Sequence, residues 1–537
     1  MSTFDYVIVG AGSAGSVIAA RLSEDGRRSV LLLEAGGIGR HPWIRIPIGY
    51  GKVFYDARFN WKYTAEPDPN LNDRAMYWPR GKVLGGSSAI NAMVYVRGHP
   101  QDFEEWVAHA PGWGWSDVAP VFQRMECWHG PETQGRGQTG PLSVTDVSGA
   151  MHPLSRAYVR AAEETGIPFN PDYNASDMMG ASYYQITTSN GVRASSADAY
   201  LRPALQRQNL QVETSAHATR ILFEGKRATG IAYRKHGVTK TALARTEVIL
   251  CGGAINTPQL LQLSGIGPGP LMQKLGLEVV HDAPHVGRNL MDHLGIDLMF
   301  RSTRPSLNQV LRPFWGKAKV GLQYLLTKKG PLSMSLNQAG GFLRLQEGEG
   351  SPDLQLYFSP LSYSRAPAGQ RPLMSPDPFP AYRLGFNPCK PTSKGCLELR
   401  SPDPSEAPVM HANYLDTEED CQVMIQGTRL MRRIAAAGPL ADVTEREVLP
   451  GPDCESDEDI VENARNDGWT VFHQCGTCRM GQSAQHSVVD PRLRVHGVEG
   501  LRVADASIFP TIPSGNTNAP AIMVGEMASD IVRADAR

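Results

Sequence analysis

A glycine-rich segment near the amino terminus has the residue types and spacing that hold the diphosphate of a nucleotide. Residues 10–15 read Gly-Ala-Gly-Ser-Ala-Gly. Gly10 permits a sharp turn, Gly12 lets the backbone approach a pyrophosphate, and Gly15 lets a helix pack against a strand. Glu34 follows Gly15 by 19 residues, where a carboxylate can accept both hydrogen bonds of an adenosine ribose and disfavours a 2′-phosphate. The motif predicts dinucleotide binding and does not by itself distinguish NAD from FAD.

Two further pairs of residues have the spacing of reactive groups. Cys475 and Cys478 form a C-x-x-C pair, which could accept electrons as a dithiol but lacks the usual setting after a strand of a thioredoxin-like unit. We expect these thiols to be buried beside the cofactor. His281 and His285 have the spacing of a helical metal pair, but Pro284 opposes a continuous helix there. We therefore predict no metal site.

The glycine turn requires a strand before it and a helix after it. Residues 6–9 are a short, mainly β-branched run, residues 17–22 have a helical pattern, and residues 30–33 form a second apolar run that ends at Glu34. This strand-turn-helix-strand order predicts the opening of a doubly wound α/β domain.

Length and composition limit the remaining possibilities. A chain of 537 residues exceeds one compact core, so two or more lobes are expected. Fifty-three basic and 54 acidic residues give a net charge of −1, which provides no broad attraction for nucleic acid. No apolar stretch is long enough to span a bilayer, and the first residues do not resemble a secretory leader. We expect a cytoplasmic protein with small-molecule partners, reduced cysteines and no transmembrane segment. Peripheral contact with a membrane is also compatible with the sequence.

Several longer segments carry a family resemblance that covers essentially the whole chain. They occupy residues 79–94, 253–267, 472–481, 503–507 and 515–520. In residue type and order, these segments resemble the signatures of the glucose-methanol-choline (GMC) oxidoreductase family. Within that family, Asn60-Trp61 and residues 78–82 are most similar to bacterial FAD-dependent alcohol and choline dehydrogenases.

The resemblance implies a non-covalent FAD held by separated parts of the chain. The cofactor-binding residues it implies are Gly10, Gly12, Ser13, Ala14, Gly15, Glu34 and Ala35 for the adenosine diphosphate, Ala218 for adenine, Gly85, Asn91 and Val94 for the middle and flavin portions, and Phe472, Asp505, Ala506, Thr517 and Asn518 for the remainder. An aromatic residue in a core position would show the same sequence pattern as Phe472, so the role of Phe472 stays open at this point. Some relatives tether the flavin through a histidine at the position of Ile90, so no tether is expected here.

The resemblance also implies an activity and its two catalytic residues. Hydride transfer from an alcohol to flavin N5 requires loss of the hydroxyl proton, and an imidazole with a pKa of about 6.5 is suited to take it. His473 matches the family's base, and Asn516 matches a residue that orients the substrate oxygen. His293 lies in a segment that looks structural, and we assign it no catalytic role.

The expected function is therefore an FAD-dependent alcohol dehydrogenase that oxidises a primary alcohol to an aldehyde and passes electrons to a quinone or another non-oxygen acceptor. An oxidase that uses dioxygen and forms hydrogen peroxide is the main alternative. A lyase that retains FAD without net redox chemistry is a further one, and the later motifs disfavour a nicotinamide enzyme. The sequence does not identify the alcohol.

The same likeness predicts a discontinuous Rossmann-like FAD-binding domain and a mixed α+β substrate-binding lobe. We expect the FAD-binding domain to comprise residues 1–155, 200–300 and 460–537, and the lobe to comprise residues 156–199 and 301–459. The proline-rich stretch 359–391 reads as a loop, compatible with a lid, an access channel or an inert surface excursion.

Overall fold

The computed structural model describes residues 2–346, 348–363 and 376–536 as a mixed α/β protein, which confirms the predicted fold class. Its α-helices are α1 (Ser13–Leu22), α2 (Pro42–Arg45), α3 (Tyr50–Val53), α4 (Pro100–Val107), α5 (Trp115–Met125), α6 (Pro153–Glu164), α7 (Arg202–Ala204), α8 (Gly253–Leu263), α9 (Gly269–Lys274), α10 (Leu307–Leu311), α11 (Phe314–Thr327), α12 (Glu418–Ala435), α13 (Gly438–Ala441), α14 (Asp457–Asp467) and α15 (Asn518–Asp535). In this described part of the chain, no helix has the length and apolar character needed to cross a membrane.

The strands lie before and between these helices along the chain. They are β1 (Ser2–Val9), β2 (Val30–Leu33), β3 (Tyr63–Asp68), β4 (Arg74–Trp78), β5 (Glu126–His129), β6 (Leu142–Thr145), β7 (Gly180–Tyr183), β8 (Thr188–Ser189), β9 (Val192–Arg193), β10 (Leu210–Glu213), β11 (Ala216–Glu224), β12 (Arg227–Lys235), β13 (Val238–Leu250), β14 (Ile266–Gly267), β15 (His281–Asp282), β16 (Leu294–Ser302), β17 (Ala339–Leu343), β18 (Leu354–Ser359), β19 (Ala381–Pro388), β20 (Cys396–Glu398), β21 (Val409–His411), β22 (Thr444–Leu449), β23 (Trp469–Thr470) and β24 (Leu501–Val503).

A first sheet places the nucleotide motif at its carboxyl edge. Its order is β10-β2-β1-β13-β12-β11, and β24 pairs with the end of β13. Strands β10, β2, β1, β13 and β24 are parallel, whereas β13, β12 and β11 are antiparallel. The apolar runs of β1 and β2 are buried because they lie in the middle of this sheet. Consequently, Gly10, Glu34, Cys251 and Asp505, which follow four parallel strands, lie at one edge.

A second, antiparallel sheet presents one apolar and one polar face. Its order is β22-β16-β19-β18-β17-β7, with β23 paired to the start of β16. Because side chains alternate along a strand, Leu354, Leu356 and Phe358 of β18 belong to the core that helices α6 and α12 also join. Tyr357 and Ser359 point to the opposite side and line a cavity. The polar face therefore forms one wall of the candidate site.

The two sheets are compatible with the two-lobe division, which remains a proposal. All strands of the first sheet fall within the segments assigned to FAD binding. However, β16 and β23 also fall there and pair into the second sheet, so the substrate lobe extends into those segments. The predicted loop at 359–391 contains the buried strand β19, because its alternating apolar residues complete that sheet. Residues 364–375 of that stretch lie outside the described residues.

Candidate active site

A cavity of about 730 Å³ runs between the carboxyl edge of the first sheet and the polar face of the second. A volume of this size is typical of a cofactor or ligand site. Of the residues predicted to bind the cofactor or act in catalysis, the following line it: Gly10, Gly12, Ser13, Ala14, Glu34, Ala35, Asn91, Val94, Ala218, Phe472, His473, Asp505, Ala506, Asn516, Thr517 and Asn518. The fold thus gathers sixteen residues from along the whole chain into one cavity.

Two predicted cofactor residues do not line the cavity. Gly15 lies inside α1, where a Cβ atom would overlap the carbonyl oxygen of Gly10. It is required for helix-strand packing. Gly85 has a φ of +93° and donates its N–H to the carbonyl of Ala11 at 2.8 Å, so it joins the second glycine-rich loop to the first. Both residues lie behind the cavity wall. They were predicted as cofactor contacts because a sequence motif does not separate glycines that contact a ligand from glycines that allow close packing.

One end of the cavity is formed by the first glycine turn and Glu34. Gly10 has a φ of +97°, and a side chain there would overlap Cys251. The Glu34 carboxylate accepts hydrogen bonds from the N–H groups of Ala11 at 3.0 Å and Gly36 at 2.7 Å. Burial raises the pKa of Glu34 to about 7, against the lowering effect of these two hydrogen bonds. A bound ribose would add hydroxyl donors to the same carboxylate.

At the other end of the cavity, His473 and Asn516 face each other. Asn516 Nδ2 lies 3.0 Å from His473 Nε2. The amide is oriented by Gln355, whose Nε2 donates to Asn516 Oδ1 at 3.1 Å, and Gln355 is fixed in turn by Tyr357 at 2.8 Å. Asn516 must therefore present its N–H donor to His473, and His473 Nε2 must accept.

The contacts of a second histidine, His293, independently give the same tautomer for His473. His293 Nε2 lies 3.0 Å from the carbonyl oxygen of Cys389, which can only accept, so this nitrogen carries hydrogen. The Nδ1 atom of neutral His293 is then an acceptor, and it lies 2.9 Å from His473 Nδ1. His473 must therefore donate from Nδ1 and carry a lone pair on Nε2.

Burial keeps both imidazoles neutral. Removal from water, followed by the effects of His293 and Arg80, lowers the pKa of His473 well below its usual range. Removal from water also lowers the pKa of His293 to about 4. At neutral pH, His473 thus offers an unprotonated Nε2 to the cavity, as a general base requires.

The backbone around His473 is held by Asp292. The Asp292 carboxylate accepts from the His473 N–H at 2.8 Å and from Gln474 Nε2 at 2.7 Å. Phe472, with a φ of +68°, donates its N–H to Thr470 Oγ1 at 2.8 Å and accepts from Arg80 at its carbonyl at 2.6 Å. The ring of Phe472 also packs edge-on against Phe54. These contacts hold the backbone of His473 in place.

The wall opposite the glycine turns carries a paired charge. Arg383 donates to Asp297 Oδ2 at 3.0 Å, and its guanidinium carbon lies 4.2 Å above the ring of Tyr363. All three residues line the cavity. The charges of Arg383 and Asp297 offset each other, so this wall is polar without strong net charge.

The sequence analysis missed most of the residues that surround His473 and Asn516 in this cavity. His293 was assigned no catalytic role, yet it contacts the predicted base. Asp292, Gln355 and the Asp297–Arg383 pair were not singled out, because they are isolated polar residues in apolar strands or loops. The one available signal was the run Asp292-His293, two polar residues placed directly before a buried strand.

Other predicted groups lie away from the cavity. Cys475 and Cys478 are buried free thiols, as expected, but they belong to the hydrophobic core and do not line the cavity; Cys251 is the cysteine that does. His285 contacts the carbonyl of Gln485. Across residues 2–346, 348–363 and 376–536, no group of three His, Cys, Asp or Glu side chains is placed to hold a metal ion.

The chain is similar to known proteins over nearly its full length. The GMC oxidoreductase family model matches residues 4–295 and 391–525. The chain is 41% identical to the alcohol dehydrogenase (acceptor) of Pseudomonas putida, covering 98% of this chain and 95% of the relative. It is 43% identical to the oxygen-dependent choline dehydrogenase of Rhizobium etli, with 98% and 95% covered.

A solved structure has the same fold. The crystal structure of pyridoxine 4-oxidase from Mesorbium loti superposes with a TM-score of 0.88 at 30% identity, covering 99% of each chain. The cavity, its two glycine-rich walls and the carboxylate after β2 fit the FAD that this family uses. The chain therefore belongs to the GMC oxidoreductase family and is an FAD-dependent oxidoreductase that acts on CH–OH donors.

Proposed function

We propose that this protein is a dehydrogenase that oxidises a primary alcohol to an aldehyde with His473 as the base. The observation that carries the proposal is the pair formed by His473 Nε2 and Asn516 Nδ2, 3.0 Å apart at the cavity wall. One atom is an acceptor and the other a donor, and together they match the two hydrogen bonds that an alcohol oxygen makes. The relatives that are alcohol and choline dehydrogenases support this function.

The residues that would hold FAD lie along the cavity in sequence-separated groups. Gly10, Gly12 and Glu34 would hold the adenosine diphosphate, because the turn exposes backbone N–H groups beside the start of α1. Asn91 and Val94 would line the flavin portion. Ile90, which also lines the cavity, has a hydrocarbon side chain that cannot form a tether. When bound, FAD supplies the acceptor for the hydride that leaves the alcohol carbon.

The alcohol oxygen would take a position between His473 and Asn516. Asn516 Nδ2 would donate to this oxygen, and the hydroxyl would donate to His473 Nε2, replacing the direct contact between the two side chains. As the carbon loses its hydride, His473 Nε2 receives the hydroxyl proton and the C–O bond becomes a carbonyl. The depressed pKa of His473 favours release of that proton after each turnover.

The paired charge on the opposite wall favours an uncharged alcohol over a quaternary ammonium alcohol. A cationic substrate requires a carboxylate or an aromatic cage with no competing cation. The Asp297 carboxylate is already paired with Arg383 at 3.0 Å, so it adds little attraction for a second cation. Phe54, Tyr55 and Phe472 line the cavity with aromatic surface that an apolar alcohol can contact, and the Arg383 guanidinium in the same cavity repels a cation.

For the electron acceptor, we propose a quinone or another non-oxygen carrier. The Pseudomonas putida relative is named as acting with an acceptor, which supports this choice. The Rhizobium etli relative is named as oxygen-dependent, and this observation supports an oxidase as the second candidate. The half-reaction that oxidises the alcohol is the same in both.

Anaerobic reduction of the bound flavin tests the proposal. The purified yellow protein is mixed under argon with benzyl alcohol, 1-octanol or choline, and flavin absorbance is followed. We expect bleaching by the uncharged alcohols and weaker bleaching by choline. Failure of every alcohol in a broad panel would refute the redox function, and bleaching by choline alone would refute the substrate class. Re-oxidation by a soluble quinone with little peroxide formed in air is expected; rapid peroxide formation would favour the oxidase.

A further inference from the structure

Helix α11, Phe314–Thr327, turns its apolar side to solvent. Of its side chains, only Val320 and Tyr324 are buried. Trp315 is 80% exposed and Leu326 is 76% exposed. The exposed apolar residues of the helix are Phe314, Trp315, Ala318, Leu322, Leu325 and Leu326. At 100° per residue they fall within an arc of about 120°, so they form one continuous stripe with nothing among the described residues packed upon it.

The chain segment that contains this stripe carries positive charge alone. Residues 298–346 contain no Asp or Glu. The exposed basic residues within that segment are Arg304, Arg312, Lys317, Lys319, Lys328 and Lys329. This concentration is unusual in a chain whose net charge is −1. Burial raises the pKa of Tyr324 and the nearby charge of Arg45 opposes that rise, so the basic region extends to α2.

We propose that α11 docks this protein on the surface of an anionic lipid bilayer. An apolar stripe flanked by lysines is the arrangement of helices that lie in the membrane interface, because the stripe enters the acyl boundary while the lysines contact lipid phosphates. Trp315 at the start of the stripe suits the headgroup level. A 14-residue helix is about 21 Å long and does not span a hydrocarbon core of about 30 Å, so α11 lies in the plane of the surface.

The positive charge of this segment favours an anionic bilayer over a second copy of this chain as the partner of α11. In a symmetric dimer through α11, each basic segment would face the other, with no acidic residue between positions 298 and 346 to pair with it. An anionic surface meets the same segment with opposite charge. The described surface therefore fits lipid better than a second copy of the protein.

Docking through α11 places the bilayer beside a wall of the cavity. Val320 packs in the same apolar cluster as Ile90 and Met93, and both of those residues line the cavity. A lipid-soluble electron acceptor would then be close to the flavin end; this consequence rests on the proposed function, whereas the docking does not.

Co-sedimentation of the holoenzyme with vesicles tests the docking without any substrate. We expect binding to vesicles of equal parts phosphatidylcholine and phosphatidylglycerol, weaker binding to pure phosphatidylcholine, and loss of binding at high salt. In Leu325→Ser/Leu326→Ser, binding should weaken about tenfold for each leucine removed. In Lys317→Glu/Lys319→Glu, it should weaken at least fivefold for each lysine reversed.

Matched controls keep the test decisive. Val238 is 59% exposed, the same as Leu322, but lies on the hairpin of β12 and β13, so Val238→Ser should bind vesicles like the parent protein. All variants should reduce a soluble dye at the parent rate, since no mutated residue lines the cavity. Equal vesicle binding by parent and Leu325→Ser/Leu326→Ser would overturn the proposal. So would a dimer of the parent protein that these two substitutions dissociate.

Discussion

Replacement of His293 separates a positioning role from a merely structural one. His293→Leu fills a similar volume but removes the acceptor for His473 Nδ1–H, whereas His293→Asn keeps an oxygen near the position of Nδ1. In the native protein this contact is 2.9 Å long and buried. Without it, the hydrogen on His473 Nδ1 is left without a partner, or the ring changes tautomer and loses the lone pair on Nε2.

The magnitude follows from the cost of a buried unpaired donor. That cost is about 1–3 kcal/mol, and each 1.36 kcal/mol corresponds to about a tenfold change in rate. We therefore expect His293→Leu to slow flavin reduction by about 5–150-fold with little change in the apparent Kd for the alcohol. His293→Asn should recover most of the lost rate.

Anaerobic stopped-flow measurement of flavin bleaching provides the limiting rate and the apparent Kd separately. FAD content and thermal unfolding show whether each variant is folded, and His285→Leu serves as a control because His285 lies away from the cavity. A parent-like limiting rate in His293→Leu would refute the argument. An equal loss in His293→Leu and His293→Asn would also refute it, since the effect would then be structural.

Three other measurements test separate parts of the site. His473→Ala should keep its yellow cofactor and reduce flavin ~10²–10⁴-fold more slowly; an unchanged rate would remove His473 as the base. Gly15→Val should be isolated without FAD, because its side chain would overlap Gly10 in the nucleotide turn; a stoichiometrically yellow Gly15→Val protein would contradict that packing. For pH, the pKa of folded His293 is about 4, whereas an unfolded imidazole titrates at about 6.5. The unfolded state therefore binds more protons between these values, and stability should fall as pH falls from about 6.5 to 4, by up to ~3 kcal/mol from this residue. Thermal unfolding across that range should show a shallower slope in His293→Asn, and parallel slopes would contradict the assignment.

Local motifs predicted the parts of the fold that depend on short stretches of chain. The strand-turn-helix-strand opening followed from residues 6–34, since alternation of apolar runs and glycines is a property of neighbouring residues. The strand β19 was predicted as a loop because prolines on both sides of it outweighed its short apolar pattern. Its place in the second sheet depends on pairing with β16 and β18, which lie far away in sequence.

The sequence by itself determined the nucleotide-type cradle, the α/β class and the nomination of His473 and Asn516, because each lies in a recognisable local segment. Only the tertiary structure decided which other side chains contact His473 and line the same cavity. His293 meets His473 across 180 positions, and Arg383 meets Asp297 across 86. Such pairs have no shared local pattern, since their distance is set by how distant strands pair and pack in the second sheet, where β16 lies between β19 and β23. The same packing left the apolar stripe of α11 outside, although its residue types alone would have placed it in a core.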